Sequence, residues 1–268
     1  MLTIRRSIST IAQVYRTHNA PVTPITLSTI LKYQSEKDDE KDFRFRLLSA
    51  QRIHKEVPIR LARRIVDLES LPHGLAQDDT ILELKAMLLS SFERMFEAPL
   101  PLDAASETAY MDLSVDIRSK HASMHNHVQK AMTGLSVPLD DVALQTVLDD
   151  FYQSRIDIRL LMDQHFAWKN ENENEKTKRN IGMVEQNGLI LPLVTQVIED
   201  LNMPVTVKCS NENISLLYLI PSHLQIMLTE MLIFAHHHAA SPQDVSLTLA
   251  GGPNGVAVKV LQQRRIRV

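Results

Sequence analysis

Apolar residues recur every three or four positions through most of the first two-thirds of the chain, the spacing of one buried helix face. After Pro58, "IRLARRIVDLESL" places Ile59, Ala62, Ile65, Val66 and Leu68 at mostly helical intervals and predicts a helix closed by Pro72. Thr80-x-x-Glu83 then predicts a capping box ahead of a stripe of Ile81, Leu84, Leu88, Phe92 and Met95. Residues 107–132 predict a third helix. Asp140 or Asp141 caps a fourth, with Leu144, Val147, Phe151, Ile158 and Leu161 inward. Four amphipathic helices joined by loops predict a bundle over residues 25–168.

The pattern changes after that. "KNENENEKTKRN" carries charge without periodicity, so residues 169–181 are expected to be a linker. A helix is predicted over 188–202. "PVTVKCS" and "SLLYLI" alternate or run apolar, as strands do. Pro221-Ser222 opens a helix at 223–239, and "DVSLTLAGGPNGVAVKVL" is two β-runs around an Asn-Gly turn. The Met and Leu stripes at 87–95 and 224–232 are expected to be core. The predicted class is α+β, with a helical bundle followed by a small α/β domain over 182–268.

Composition narrows the function classes. Of 268 residues, 44% are hydrophobic and 23% charged, as in a globular protein, and no apolar run is long enough to span a membrane. A net charge of −3 gives no electrostatic footprint for nucleic acid. Cys209 is the only cysteine, which excludes internal disulfides and cysteine-based zinc sites. The first 24 residues hold Arg5, Arg6 and Arg16 with several hydroxyl side chains, and the first acidic residue is Glu36. Residues 1–24 are therefore expected to be a mitochondrial targeting segment or N-terminal extension.

Several segments together resemble one family. "IHKEVPIRLARRIVDLESLP", "DIRSKHASMHNHVQKAM", "LDDFYQSRIDIRLLMDQH" and "IPSHLQIMLTEML" are similar, in order, to segments of the mitochondrial kinases that phosphorylate pyruvate dehydrogenase and branched-chain α-ketoacid dehydrogenase. The resemblance implies a four-helix bundle followed by an ATP-binding α/β sandwich of the histidine kinase, Hsp90 and gyrase type. It also implies a glutamate base on the nucleotide helix, a magnesium-binding asparagine four residues later, an adenine-binding aspartate in a glycine box, and a conserved histidine in the third bundle helix.

This chain matches that pattern at Glu230, as the base, and at His121. It departs elsewhere. Phe234 stands at the magnesium position, and a phenyl ring cannot ligate a hard cation. His237 falls at the family's basic position, Gln262 at the adenine aspartate, and Arg264 and Ile266 where glycines should follow. The second glycine box and the lid are expected to be absent. Of seven glycines only Gly251, Gly252 and Gly255 cluster, and a hairpin turn accounts for them. No phosphate-cradling loop remains by this test, so no cofactor and no metal are expected.

The remaining polar residues have ordinary explanations. His236, His237 and His238 point about 100° apart on a helix and cannot share one metal; they suit a helix end near the negative dipole. His121 and His125 have the i, i+4 spacing that can ligate zinc, but no third ligand is evident, and the segment otherwise reads as an exposed polar face. Trp168, the only tryptophan, is expected to be a packing anchor.

The expectation is a catalytically inactive pseudokinase, with Glu230 and His121 vestigial, serving as a structural or interaction subunit in the mitochondrial matrix. Its partners are expected to be proteins: a homodimer mate, or a dehydrogenase complex, respiratory complex, ATP synthase or mitoribosome, with RNA at most peripheral. One alternative is a non-catalytic regulator that docks lipoyl domains through the bundle. The other is an active pyruvate or branched-chain dehydrogenase kinase.

Overall fold

The computed structural model describes residues 2–31, 39–133, 141–171, 180–210, 214–239, 241, 245–252 and 255–262. Side chains 2–8, 39–42, 168–171 and 180–181 lie outside that description, which includes the Trp168 side chain. The chain divides into two units, Met1–Asn170 and Glu171–Val268.

The first unit is helical. α1 (Leu2–Thr17) and α2 (Leu27–Leu31) precede α3 (Asp39–Glu69). α3 runs straight through Pro58, where the sequence pattern had placed its start. Proline removes one helical hydrogen bond, but Val57, Leu61 and Ala62 are fully buried around it, and that burial outweighs one lost bond. α4 (Asp79–Glu97) starts earlier than the expected box: Asp78 is the N-cap and accepts from the amides of Thr80 at 2.8 Å and Ile81 at 3.3 Å. Thr80 lies inside the helix. Among the described residues a capping box is formed by Asp103 with Ser106, at the head of α5 (Ala104–Lys120).

The expected single helix over 107–132 is interrupted. A 3-10 turn at His121–Ser123 separates α5 from α6 (Met124–Thr133). α7 (Val142–Glu171) is capped by Asp141, which accepts from the Leu144 amide at 2.8 Å; Asp140 lies outside the described residues. Ile81, Leu84, Leu88, Phe92 and Met95 of α4 are all 2% exposed or less, and they pack with Ile65, Leu68, Phe151 and Ile158 in one core.

The segment expected to be a targeting extension is tied to this unit. Val14 of α1 is in the core. Tyr15 bonds to Glu69, and Thr10 donates to Glu93 at 3.2 Å. Arg60 donates to the Thr23 carbonyl at 2.8 Å, and Arg63 to those of His18 and Ala20. Glu56 accepts from the Thr23 amide and hydroxyl and pairs with Arg60. Burial would raise the Glu56 carboxyl, but the bonds from Thr23 and Arg60 outweigh it and hold the pKa below its ordinary value. Deeper in the bundle, Glu107 is fully buried and meets His165 at 3.1 Å and Arg46 at 3.3 Å.

The second unit is α/β. β1 (Asn180–Ile181) and β2 (Val184–Leu189) open it, inside and just after the expected linker; residues 172–179 of that linker lie outside the described residues. β2 reads VEQNGL, too polar to register as a strand, and it is recruited by pairing: β1, β2 and β4 (Ser215–Leu219) form one antiparallel sheet. At Gly188 an added Cβ would sit 2.7 Å from the Leu219 side chain, so only glycine allows that approach. β3 (Thr206–Cys209) pairs parallel with β5 (Val245–Gly252), which pairs antiparallel with β6 (Gly255–Gln262). Asn254 of the expected turn lies outside the described residues. α8 (Ile190–Leu201) and α9 (Pro221–His238) share a core with β5 through Val194, Val197, Leu228, Leu232, Leu247 and Leu249. No described helix is long and apolar enough to cross a membrane.

Candidate functional site

α9 begins at Pro221, whose missing amide costs nothing in a first turn. Leu228, Leu232 and Ala235 bury one face. Of the Met and Leu stripe at 224–232 that was expected to be core, Leu228 and Leu232 are buried but Met227 and Met231 are not. Ile226 is 63% exposed, Met227 54%, Met231 41% and Phe234 62%. The helix has one covered side, and residues 227, 231 and 234 fall on the other at i, i+4 and i+7.

That open face forms one wall of a pocket of about 490 Å³ lined by Glu230, Met231, Phe234, Ala235, Val260 and Gln262. Glu230 and Phe234 are four residues apart and lie side by side on the helix. Val260 and Gln262 come from the β6 face that packs toward the helices. The Gln262 Oε1 is buried and has no donor among the described residues. Three of the positions singled out in the sequence, Glu230, Phe234 and Gln262, are thus brought together. Arg264 lies outside the described residues. His237 is exposed on the last turn of α9 and is not part of the lining. Its neighbour His238 stacks on Phe234, centroids 4.3 Å apart, and its Nδ1 lies 2.8 Å from the Phe234 carbonyl oxygen. The triple histidine occupies the C-terminal turn, as expected of cations or dipoles near a helix's negative end.

His121 belongs to the first unit. It was read as part of an exposed face shared with His125, but it is 7% exposed while His125 is exposed. The 3-10 turn after residue 120 breaks the i, i+4 geometry that a shared zinc would need. The His121 Nε2 sits 2.9 Å from Ser91 Oγ, and Arg155 donates to its carbonyl at 3.0 Å. Burial, with Arg64 and Arg155 adding, pulls the imidazole down to about 4, so it is neutral at pH 7. Among the described residues no group of three or more His, Cys, Asp or Glu is placed to hold a metal.

Around His121 the structure assembles a group that the sequence reading missed. Arg64, Arg118, Arg155 and Arg159 surround a cavity of about 20 Å³ with Met124 and Met162. Arg64 is 1% exposed, lies 4.5 Å over the Phe151 ring, and reaches the Met124 sulfur at 3.5 Å. Burial, then Arg155, draws its guanidinium down to about 9. Arg118 is paired with Asp163 at 2.7 Å. The signal was present: Arg64 falls between Leu61 and Leu68 at helical spacing, a cation on an apolar stripe.

The class defined by a helical unit followed by a small α/β unit is resolved by comparison. Residues 24–185 match the model of the mitochondrial branched-chain alpha-ketoacid dehydrogenase kinase family. A mitochondrial pyruvate dehydrogenase (acetyl-transferring) kinase of Arabidopsis thaliana is 34% identical over 149 residues, 53% of this chain and 40% of that protein. Isozyme 4 of that kinase from Homo sapiens is 25% identical over 234 residues, 78% of this chain and 54% of its own length. The Mus musculus isozyme 4 is 24% identical over 270 residues, covering 88% of this chain and 63% of the relative. The chain belongs to the mitochondrial dehydrogenase kinase family, and it spans roughly half the length of the curated relatives it matches.

Proposed function

We propose that this family member is a pseudokinase: a non-catalytic protein that binds other proteins in the mitochondrion. The observation that carries the reading is Phe234. It stands one turn after Glu230 on α9, in the same pocket, where the family resemblance requires an amide oxygen for magnesium. A phenyl ring supplies no oxygen ligand. The described lining of that pocket also holds no basic side chain to meet a phosphate. Magnesium nucleotide therefore does not fit the residues present, and phosphoryl transfer, which depends on positioning and metal charge, has nothing here to act on. Glu230 and His121 are vestigial on this reading. The α/β unit is read as a degenerate counterpart of the histidine kinase, Hsp90 and gyrase nucleotide fold, preceded by a four-helix bundle at 25–168.

The family and the names of the relatives support a mitochondrial address, and we assign the chain to the matrix as a subunit of a larger assembly. A second reading has its own support. The family match lies mostly over the helical unit, whose core is well packed, so a docking activity of the bundle toward a lipoyl domain can persist without catalysis.

The test is calorimetry and a radiolabel transfer assay with MgATP and dehydrogenase subunits. No nucleotide heat and no incorporated phosphate are expected, also after Phe234→Asn, because one amide does not rebuild the site. Phosphate on a dehydrogenase serine would overturn the proposal and establish an active kinase. Pull-down with a lipoylated domain, against the same domain without lipoate, separates the second reading.

A further inference from the structure

The α9 pocket has a chemical character of its own. Its described lining holds one charged group, the Glu230 carboxylate; the rest is Met231, Phe234, Ala235 and Val260, with the Gln262 amide. The carboxylate and the ring stand one helical turn apart on the same wall. An aromatic ring presents a negative face, so the two groups together attract a cation and repel an anion. His238 stacks against the Phe234 ring, with its Nδ1 at the Phe234 carbonyl oxygen. Met231 adds polarisable, adaptable surface to the wall. The buried Gln262 Oε1 lacks a donor among the described residues, and this atom is an acceptor. A volume of about 490 Å³ is that of a small-molecule site.

We infer that this pocket binds a primary ammonium group carried on an apolar body, with the ammonium against Glu230 and the body against Phe234, Met231 and Val260. The charge of the ligand is opposite to that of a nucleotide. The same chemistry can come from a free amine or from a lysine side chain. The inference rests on the reading that the pocket no longer takes MgATP, and the experiment keeps the two apart.

The chain is titrated at pH 8 with benzylammonium and with its near-isostere benzyl alcohol, followed by the methyl resonances of labelled methionine. Saturable binding of benzylammonium is expected, with Met231 shifting and with benzyl alcohol at least about tenfold weaker. Glu230→Gln is expected to remove most of that preference, and Phe234→Leu to weaken both ligands about threefold. Both positions are exposed, so the variants are expected to fold, which the spectrum of the remaining methionines reports. A capped lysine that competes identifies a protein lysine as the source; failure to compete identifies a free amine. Equal affinity for the alcohol, no effect of Glu230→Gln, or no saturable binding by about 20 mM overturns the inference. MgATP in a parallel titration tests only the pseudokinase reading: its binding with phosphate transfer would sink that proposal whatever the amines do.

Discussion

Two phenylalanines show how differently the two units use the same side chain. Phe92 is 1% exposed at the centre of the bundle core, whereas Phe234 is 62% exposed on the open wall of α9. Their units differ in the same way. The first unit buries charge freely, as in Glu56 with Arg60, Glu107 with His165, and Arg64 over Phe151, and surrounds each with packed helices. The second unit keeps its candidate site open and leaves apolar side chains uncovered around it. A large buried apolar group in a monomer contributes to stability; a cluster of exposed ones marks a binding surface. Under the function proposed above, the open face of the α/β unit is the one available for recognition.

The largest effect should come from breaking the buried member of the pair. Phe92→Ala is expected to destabilise the bundle by about 3–5 kcal/mol, measured by denaturant unfolding. If the loss is under about 1 kcal/mol, the core assignment around α4 is wrong.

The next effect is electrostatic. The folded pKa of His121 lies near 4, below the ordinary 6.5, so the unfolded chain binds more protons between those values. Its contribution is complete above pH 6.5 and is lost as pH falls toward 4, on the order of 3 kcal/mol in all. Asp67 works against it. Burial, then Asp150, raises its carboxyl to about 6, so its contribution declines as pH rises from 3.8 through 6. His121→Asn should flatten the acid limb of stability against pH, and Asp67→Asn should steepen it.

A smaller change is expected at Arg64. It is buried, desolvation and the neighbouring Arg155 outweigh the attraction of Asp67, and its lowered pKa reports that burial is unfavourable. Arg64→Met is expected to raise stability by about 2 kcal/mol, readable as a higher melting temperature. A fall would mean that the stacking on Phe151 outweighs the desolvation.

The smallest effect closes the comparison. Phe234→Ala is expected to change stability by less than about 0.5 kcal/mol, because so little of the ring is buried. A cost near that of Phe92→Ala would show that the pocket is part of a core, not a binding face.

The sequence carried more of the bundle than of the α/β unit. The stripes of α4 and α7 were legible because helix periodicity is local, and each of Ile81, Leu84, Leu88, Phe92, Met95, Leu144, Phe151, Ile158 and Leu161 is buried. Helix ends were less so. Asp78 takes the cap from Thr80, and α3 passes through Pro58, because in each case a competing interaction was stronger than the local signal. β1 and β2 were not legible at all, since VEQNGL becomes a strand only by pairing with β4. In the candidate site, Glu230, Phe234 and Gln262 were identified by resemblance, and the arginines around His121 were not.

By itself, then, the sequence determined the helical repeat, the family resemblance, the single charge of the α9 wall, and the ring one turn after Glu230. These depend on residue identity and on spacings of three or four positions, which the chain states directly. The tertiary structure decided which side of each helix is covered. It buried His121 and exposed His125, although both lie in one histidine-rich run. It covered Leu228 and Leu232 but left Met227, Met231 and Phe234 in the open, and it brought Gln262 to Glu230 from a distant strand. An amphipathic pattern specifies that a face can be buried; whether it is depends on what another part of the chain places against it.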